Sequence, residues 1–152
     1  MKIRIKPLSD LLGKNVPLPE YVTRGAAGMD ACACITDCIT INPKERVAVP
    51  LGFAMEVPRG YAAFIYARSG LGLKKGITLP NCVGVIDSDY RGEVKCALTN
   101  ISEDAFIVNP GDRICQIVIS AVISAELEIT DTLSDTLRDA GGFGSTGIGK
   151  NA

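Results

Sequence analysis

Phe53-Ala54-Met55-Glu56-Val57-Pro58-Arg59-Gly60-Tyr61-Ala62-Ala63-Phe64-Ile65-Tyr66-Ala67 decides the fold class, because two β-rich runs meet there at a turn signal. Proline presets φ and glycine accepts positive φ, so Pro58-Arg59-Gly60 turns the chain between Phe53 to Val57 and Tyr61 to Ala67. The same grammar extends in both directions. Upstream lie Ile3 to Lys6, Ile39 to Ile41 and Arg46 to Pro50; downstream lie Val83 to Ile86, Glu93 to Thr99, Phe106 to Val108 and Arg113 to Ile123, with a weaker run at Leu127 to Thr130. Asn42-Pro43-Lys44, Ser102-Glu103-Asp104 and Asn109-Pro110-Gly111-Asp112 punctuate them. Many short strands at this spacing predict an all-β fold, a sandwich or jelly-roll-like barrel. Helical periodicity is weak. Ser69 to Lys75, broken by Gly70 and Gly72, predicts a single turn at most, and Leu133 to Leu137 a second short one.

At 152 residues the chain supports one core. Apolar residues make up 47 % and charged ones 22 %, which excludes wholesale disorder. With four Phe, four Tyr and no Trp, that core must rest on Ile, Val, Leu and Ala, which suit strands. A formal net charge of -1 offers no field for a nucleic-acid backbone or an anionic membrane, so neither is an expected partner. The opening Met1-Lys2-Ile3-Arg4-Ile5-Lys6 alternates apolar and basic residues and lacks the apolar block of a signal peptide, so a cytoplasmic protein is expected. In that reducing compartment the six cysteines read as buried small hydrophobes, Cys32 and Cys34 sharing one face of a strand. Asn100-Ile101-Ser102 fits a glycosylation sequon that such a chain never presents to the machinery.

The chain has no histidine, which removes Ser-His and Cys-His nucleophile pairs and the usual transition-metal ligands together. Acid-base chemistry must fall to Asp or Glu. Gly142-Phe143-Gly144-Ser145-Thr146-Gly147 spells G-x-G-x-x-G, but the five residues after it cannot form the helix a dinucleotide loop requires. Ser69 to Gly76 lacks P-loop spacing, yet its backbone N–H groups and the Ser69 hydroxyl can cup a phosphate. The glycine-rich end cannot offset its ordering entropy by burial, so one domain over 1–135 and a mobile arm over 136–152 are expected. Arg138 and Phe143 in that arm suit a planar, anionic ligand. Gly84-Val85-Ile86-Asp87-Ser88-Asp89-Tyr90-Arg91-Gly92-Glu93 reads as an acidic hairpin between two apolar strands. Asp87 ends the apolar run, so a rigid strand end would hold its carboxylate, as a general base requires.

Five blocks in order resemble the five motifs of the trimeric all-β dUTP diphosphatases. They are Ala27-Gly28-Met29-Asp30, Ala67-Arg68-Ser69-Gly70-Leu71, Gly84 to Glu93, Pro110-Gly111-Asp112-Arg113-Ile114-Cys115-Gln116, and Arg138 with Gly141 to Gly147. Met29 stands where the family often has an aromatic or another large residue. The resemblance implies hydrolysis of dUTP to dUMP and diphosphate, with Asp87 orienting and deprotonating the attacking water. It implies that Arg68, Ser69, Gly70, Gln116, Arg138, Ser145 and Thr146 bind the phosphates. Asn81 and the backbone at Gly84, Val85 and Ile86 would read the uracil edge, Tyr90 would pack against the deoxyribose, and Phe143 would cover the base. Asp30 and Asp112 would organise the site from behind, and Mg2+ would be held through the phosphates and water without a direct protein ligand. A homotrimer with shared active sites and an arm closing over them is likewise implied. A dCTP deaminase of the same fold and a non-catalytic deoxynucleotide sensor are the competing readings. The intact Asp87 to Tyr90 group speaks against the deaminase, and the sensor would be favoured only by lost catalytic groups, of which none is missing.

Overall fold

The computed structural model describes residues 1–142. Eleven strands and one helix follow in chain order. Strands β1 (Arg4–Pro7), β2 (Met29–Cys32), β3 (Ile39–Ile41), β4 (Arg46–Pro50), β5 (Phe53–Glu56) and β6 (Tyr61–Ala67) precede helix α1 (Ser69–Lys75). After it come β7 (Ile77–Thr78), β8 (Gly84–Ile86), β9 (Lys95–Asn100), β10 (Phe106–Val108) and β11 (Arg113–Ala121). The architecture is all-β, as the turn grammar predicts. Among the described residues the strands form four antiparallel sheets, ordered β2-β11-β6-β8, β4-β9-β7, β1-β5 and β10-β3, so no single sheet closes into a barrel.

One cluster of buried side chains runs from Leu12 to Ile117 and is built from Ile, Val, Leu, Ala and Cys with Met55, and Phe53 is its one aromatic ring. Among the described residues no two consecutive strands pair. β5 and β6, the runs that decide the fold class, belong to different sheets. The expected acidic hairpin is also absent: β8 pairs with β6 and β9 with β4 and β7, so Gly84 to Glu93 carries the chain between sheets. An apolar face on both strands fixes that they are buried, while the choice of neighbour depends on the whole sandwich.

Helix α1 spans seven residues, about two turns, where one was expected. Gly76 closes it in the left-handed conformation at φ 65, its N–H turned back to the Gly72 and Leu71 carbonyls, and Lys74 and Lys75 favour the negative end of the helix dipole. That cap offsets the two interior glycines. A strand at Cys32 is found as expected, but β2 ends there and Cys34 lies beyond it; β7 matches none of the predicted runs, and Leu127 to Thr130 and Leu133 to Leu137 form neither strand nor helix. Four cysteines are buried as expected, including Cys32 and Cys34, whereas Cys38 and Cys82 are exposed. Burial raises the Cys32 thiol pKa, and a hydrogen bond with Cys96 followed by burial raises that of Cys115, so both stay protonated.

Asn100 is fully buried, and its amide is saturated. Nδ2 donates to the Ile41 carbonyl at 2.9 Å and the Asp104 carbonyl at 2.7 Å, while Oδ1 accepts from Ser102 N at 2.9 Å and Oγ at 2.7 Å. The sequon residue is therefore a bracket between β3, β9 and the loop before β10. Asn100→Ala should cost about 1–3 kcal/mol in denaturant unfolding, since the Ile41 partner is buried and the other three can reach water. A loss below about 0.5 kcal/mol would contradict this bracket.

Candidate active site

Two groups of functional side chains are built from different parts of the large sheet. The first is polar and centred on Asp30, a buried acid in β2. Its Oδ2 lies 3.5 Å from Arg68 Nη2 and 3.2 Å from Arg113 Nη1, and Oδ1 accepts from Gln116 Nε2 at 3.0 Å. Arg68 closes the group by donating from Nη1 to the Arg113 carbonyl at 3.0 Å.

Strand irregularity makes this possible. Positions 113 and 116 differ by an odd number, so a regular strand would point them to opposite faces. The β2–β11 register shifts between Arg113 and Cys115, and this bulge brings Arg113 and Gln116 to the same carboxylate. Two cations, one anion and a neutral amide leave the group with an excess positive charge, which suits an anion. The structure thus brings Asp30, Arg68 and Gln116 together and adds Arg113, to which the resemblance assigns no role. Bulge parity carries no sequence signal strong enough to have found it.

Ser69 and Gly70, both exposed, open α1 directly after Arg68. Asp112 faces another way: its Oδ2 accepts from Asn109 N at 2.8 Å and Nδ2 at 3.2 Å, holding the Pro-Gly-Asp turn that precedes β11. It also borders a hollow of about 280 Å3 shared with Arg68 and Arg113.

The second group surrounds β8. A cleft of about 410 Å3 is lined by Ile65, Asn81, Gly84, Val85, Ile86, Asp87, Tyr90, Glu93, Val94 and Lys95. Asp87 is the first residue past β8 and is exposed, so the strand end carries its carboxylate into solvent at the cleft wall. Gly84 keeps the strand close to β6, since a Cβ there would stand 3.1 Å from Ile65 Cβ. Beyond Asp87 the turn is tied down. Tyr90 N donates to the Asp87 carbonyl at 3.2 Å, and Arg91 Nη1 donates to the Ser88 and Tyr90 carbonyls at 2.8 and 2.9 Å. Asn81, Gly84, Val85, Ile86, Asp87 and Tyr90 therefore share one cleft.

The cleft around Asp87 and the hollow beside Arg68 have no lining residue in common. Arg138 borders neither; its Nε donates to the Gly141 carbonyl at 2.8 Å in an exposed turn. Phe143, Ser145 and Thr146 lie outside the described residues.

A sequence profile of the dUTPase family matches residues 14–147. The deoxyuridine 5'-triphosphate nucleotidohydrolase of Idiomarina loihiensis is 46% identical over 147 residues, covering 96% of this chain and 97% of the relative. Its Zymomonas mobilis counterpart is 48% identical over 149 residues, covering 97% and 99%. Among solved structures, a dUTPase variant of Staphylococcus bacteriophage 80alpha with dUpNHpp superposes at TM-score 0.85 and 23% identity, covering 97% of this chain and 99% of that one. A variant dUTPase from phage phi11 of S. aureus, described with a coordinated structural Mg(II) ion, gives TM-score 0.75 at 20% identity, covering 87% and 98%. By sequence the chain belongs to the dUTPase family.

Proposed function

We propose that the protein hydrolyses dUTP to dUMP and diphosphate, with Asp87 as the base that orients and deprotonates the water attacking the α-phosphorus. The observation that carries this reading is Asp87 at the rigid end of β8, in the wall of a cleft sized for a nucleoside. Asn81 and the Gly84 to Ile86 backbone read the uracil edge in that cleft, and Tyr90 closes on the deoxyribose where a 2′-hydroxyl would need room. Cytosine, with donor and acceptor exchanged, would leave buried groups unpaired, and the thymine methyl would not fit.

Arg68, Ser69, Gly70 and Gln116 hold the phosphate chain, with Arg138, Ser145 and Thr146 added from the arm and Phe143 over the base. Asp30 acts from behind by orienting Arg68 and Gln116, and Asp112 by fixing the turn that starts β11. Magnesium would enter on the triphosphate and supply charge neutralisation there. The donor set fits that route, since both Asp30 oxygens already meet protein donors. Asp30 would meet such an ion through water.

Two features support assembly with further copies, which we read as a homotrimer with shared sites. The nucleoside cleft and the cationic hollow are separate within one chain, so a second copy can complete what one copy leaves apart. Beyond β11, Ile123, Leu127, Ile129, Leu133 and Leu137 stand at least 88% exposed, which calls for cover from a neighbouring subunit. We read residues 1–135 as the body and 136–152 as an arm that closes over the site. Six free cysteines suit a reducing, cytoplasmic setting.

Pyrophosphate release by the purified protein with magnesium, compared for dUTP, dCTP, dTTP and UTP, tests the activity. Release confined to dUTP is the expected result. Binding of dUTP without release would point to a sensor, and ammonia from dCTP to a deaminase.

A further inference from the structure

Glycine at position 92 is not demanded by the backbone, because its φ lies outside the left-handed region that Gly52, Gly60, Gly76 and Gly111 occupy. Its reason is spatial. A Cβ there would stand 2.6 Å from Tyr90 Cζ and 3.0 Å from Cε2, and would collide with the phenol oxygen. The Tyr90 ring therefore rests on the bare Cα of Gly92, and its hydroxyl donates to the Glu93 carbonyl at 3.0 Å.

Tyr90 is 43% exposed, so core burial does not order it. Its backbone is fixed by the Asp87 carbonyl and by the Arg91 guanidinium. What freedom remains belongs to the ring, and the seat formed by Gly92 and Glu93 removes it. Tyr90 and Glu93 both line the cleft that holds Asp87, so the seated ring forms part of the cleft wall.

We propose that Gly92 is a positioning residue for sugar selection: by leaving room for the Tyr90 ring it holds the phenol where a 2′-hydroxyl cannot fit. The proposal rests on the reading of Tyr90 as the wall against the deoxyribose. A side chain at 92 lifts the ring off its seat, breaks the bond to Glu93 and loosens the wall, while Asp87 and the phosphate-binding residues are left in place.

The test is kcat and KM for dUTP and UTP in the parent protein, Gly92→Ala, Tyr90→Ala and the double variant. Gly92→Ala should raise KM for dUTP about tenfold with a smaller change in kcat, and lower the kcat/KM preference for dUTP over UTP by about tenfold or more. Because the added methyl acts only through the ring, the double variant should match Tyr90→Ala within about threefold. Losses that multiply in the double variant would overturn the proposal. Lost selectivity in Tyr90→Ala with full selectivity in Gly92→Ala would overturn it alone; full selectivity in Tyr90→Ala would remove the reading of Tyr90 beneath it. Should Gly92→Ala fail to fold, the double variant, which removes the ring that the added methyl would meet, keeps the proposal testable. Recovery of folding in the double variant supports the seat, and a double variant that also fails to fold overturns it.

Discussion

Replacing Asp87 by asparagine should lower kcat for dUTP by about 10² to 10⁴ while the nucleotide still binds. Asparagine keeps the size of the side chain and removes only its basicity, so the change isolates proton transfer. Little structure is at stake. Asp87 is exposed, and among the described residues its side chain enters no ion pair or hydrogen bond. The turn that follows depends on its backbone carbonyl, which the substitution preserves. On the proposed reading, alignment and charge at the phosphates would supply the remaining acceleration, and the substitution leaves the Asp30 group in place to do so. Steady-state turnover alongside equilibrium binding of a non-hydrolysable dUTP analogue checks both halves. A variant that turns over within about threefold of the parent would remove Asp87 from the role of base.

The route from sequence to that carboxylate was short because it ran through local signals. Turn residues delimited β3, β4, β6 and β10 residue for residue, and Asp87 could be placed at a strand end from the apolar run before it. Signals that depend on partners were weaker. β2 and β7 are short and lie in mixed surroundings, so only their ladders to β11 and β9 make them strands. Helix α1 was underestimated because its glycines were visible in sequence while the exit capped at Gly76 depended on the fold. At the site, Asp30, Arg68 and Gln116 were legible as motif members, but their convergence needed the β11 bulge, and Arg113 entered only through it. Pairing order was the least legible property. β5 and β6 adjoin in sequence and separate in space, a choice made by the whole apolar surface instead of by either strand.

Gly52→Ala should destabilise the fold by about 2–5 kcal/mol, the sum of two separable costs. Gly52 joins β4 to β5 at φ +78, a conformation that costs an L-residue about 1–2 kcal/mol. A Cβ there would also collide with the Cys34 sulfur and stand 2.8 Å from its Cβ, and Cys34 is buried with little room to retreat. Overpacking of this kind costs about 1–3 kcal/mol more. Gly60 supplies the internal control. Its φ of +82 is nearly the same, but nothing lies within 4 Å of a Cβ added there, so Gly60→Ala should show only the first cost. Denaturant unfolding of both variants measures the difference directly. The contact with Cys34 accounts for any excess at position 52, and equal losses at the two positions would mean that the buried cysteine yields and the turn conformation alone sets the cost. The position matters beyond the turn. The Gly52 carbonyl accepts the Leu8 N–H at 2.8 Å and Cys34 N–H donates to the Pro50 carbonyl at 2.9 Å, so one added methyl would strain the junction tying the first strand pair to the segment after β2, the strand that carries Asp30.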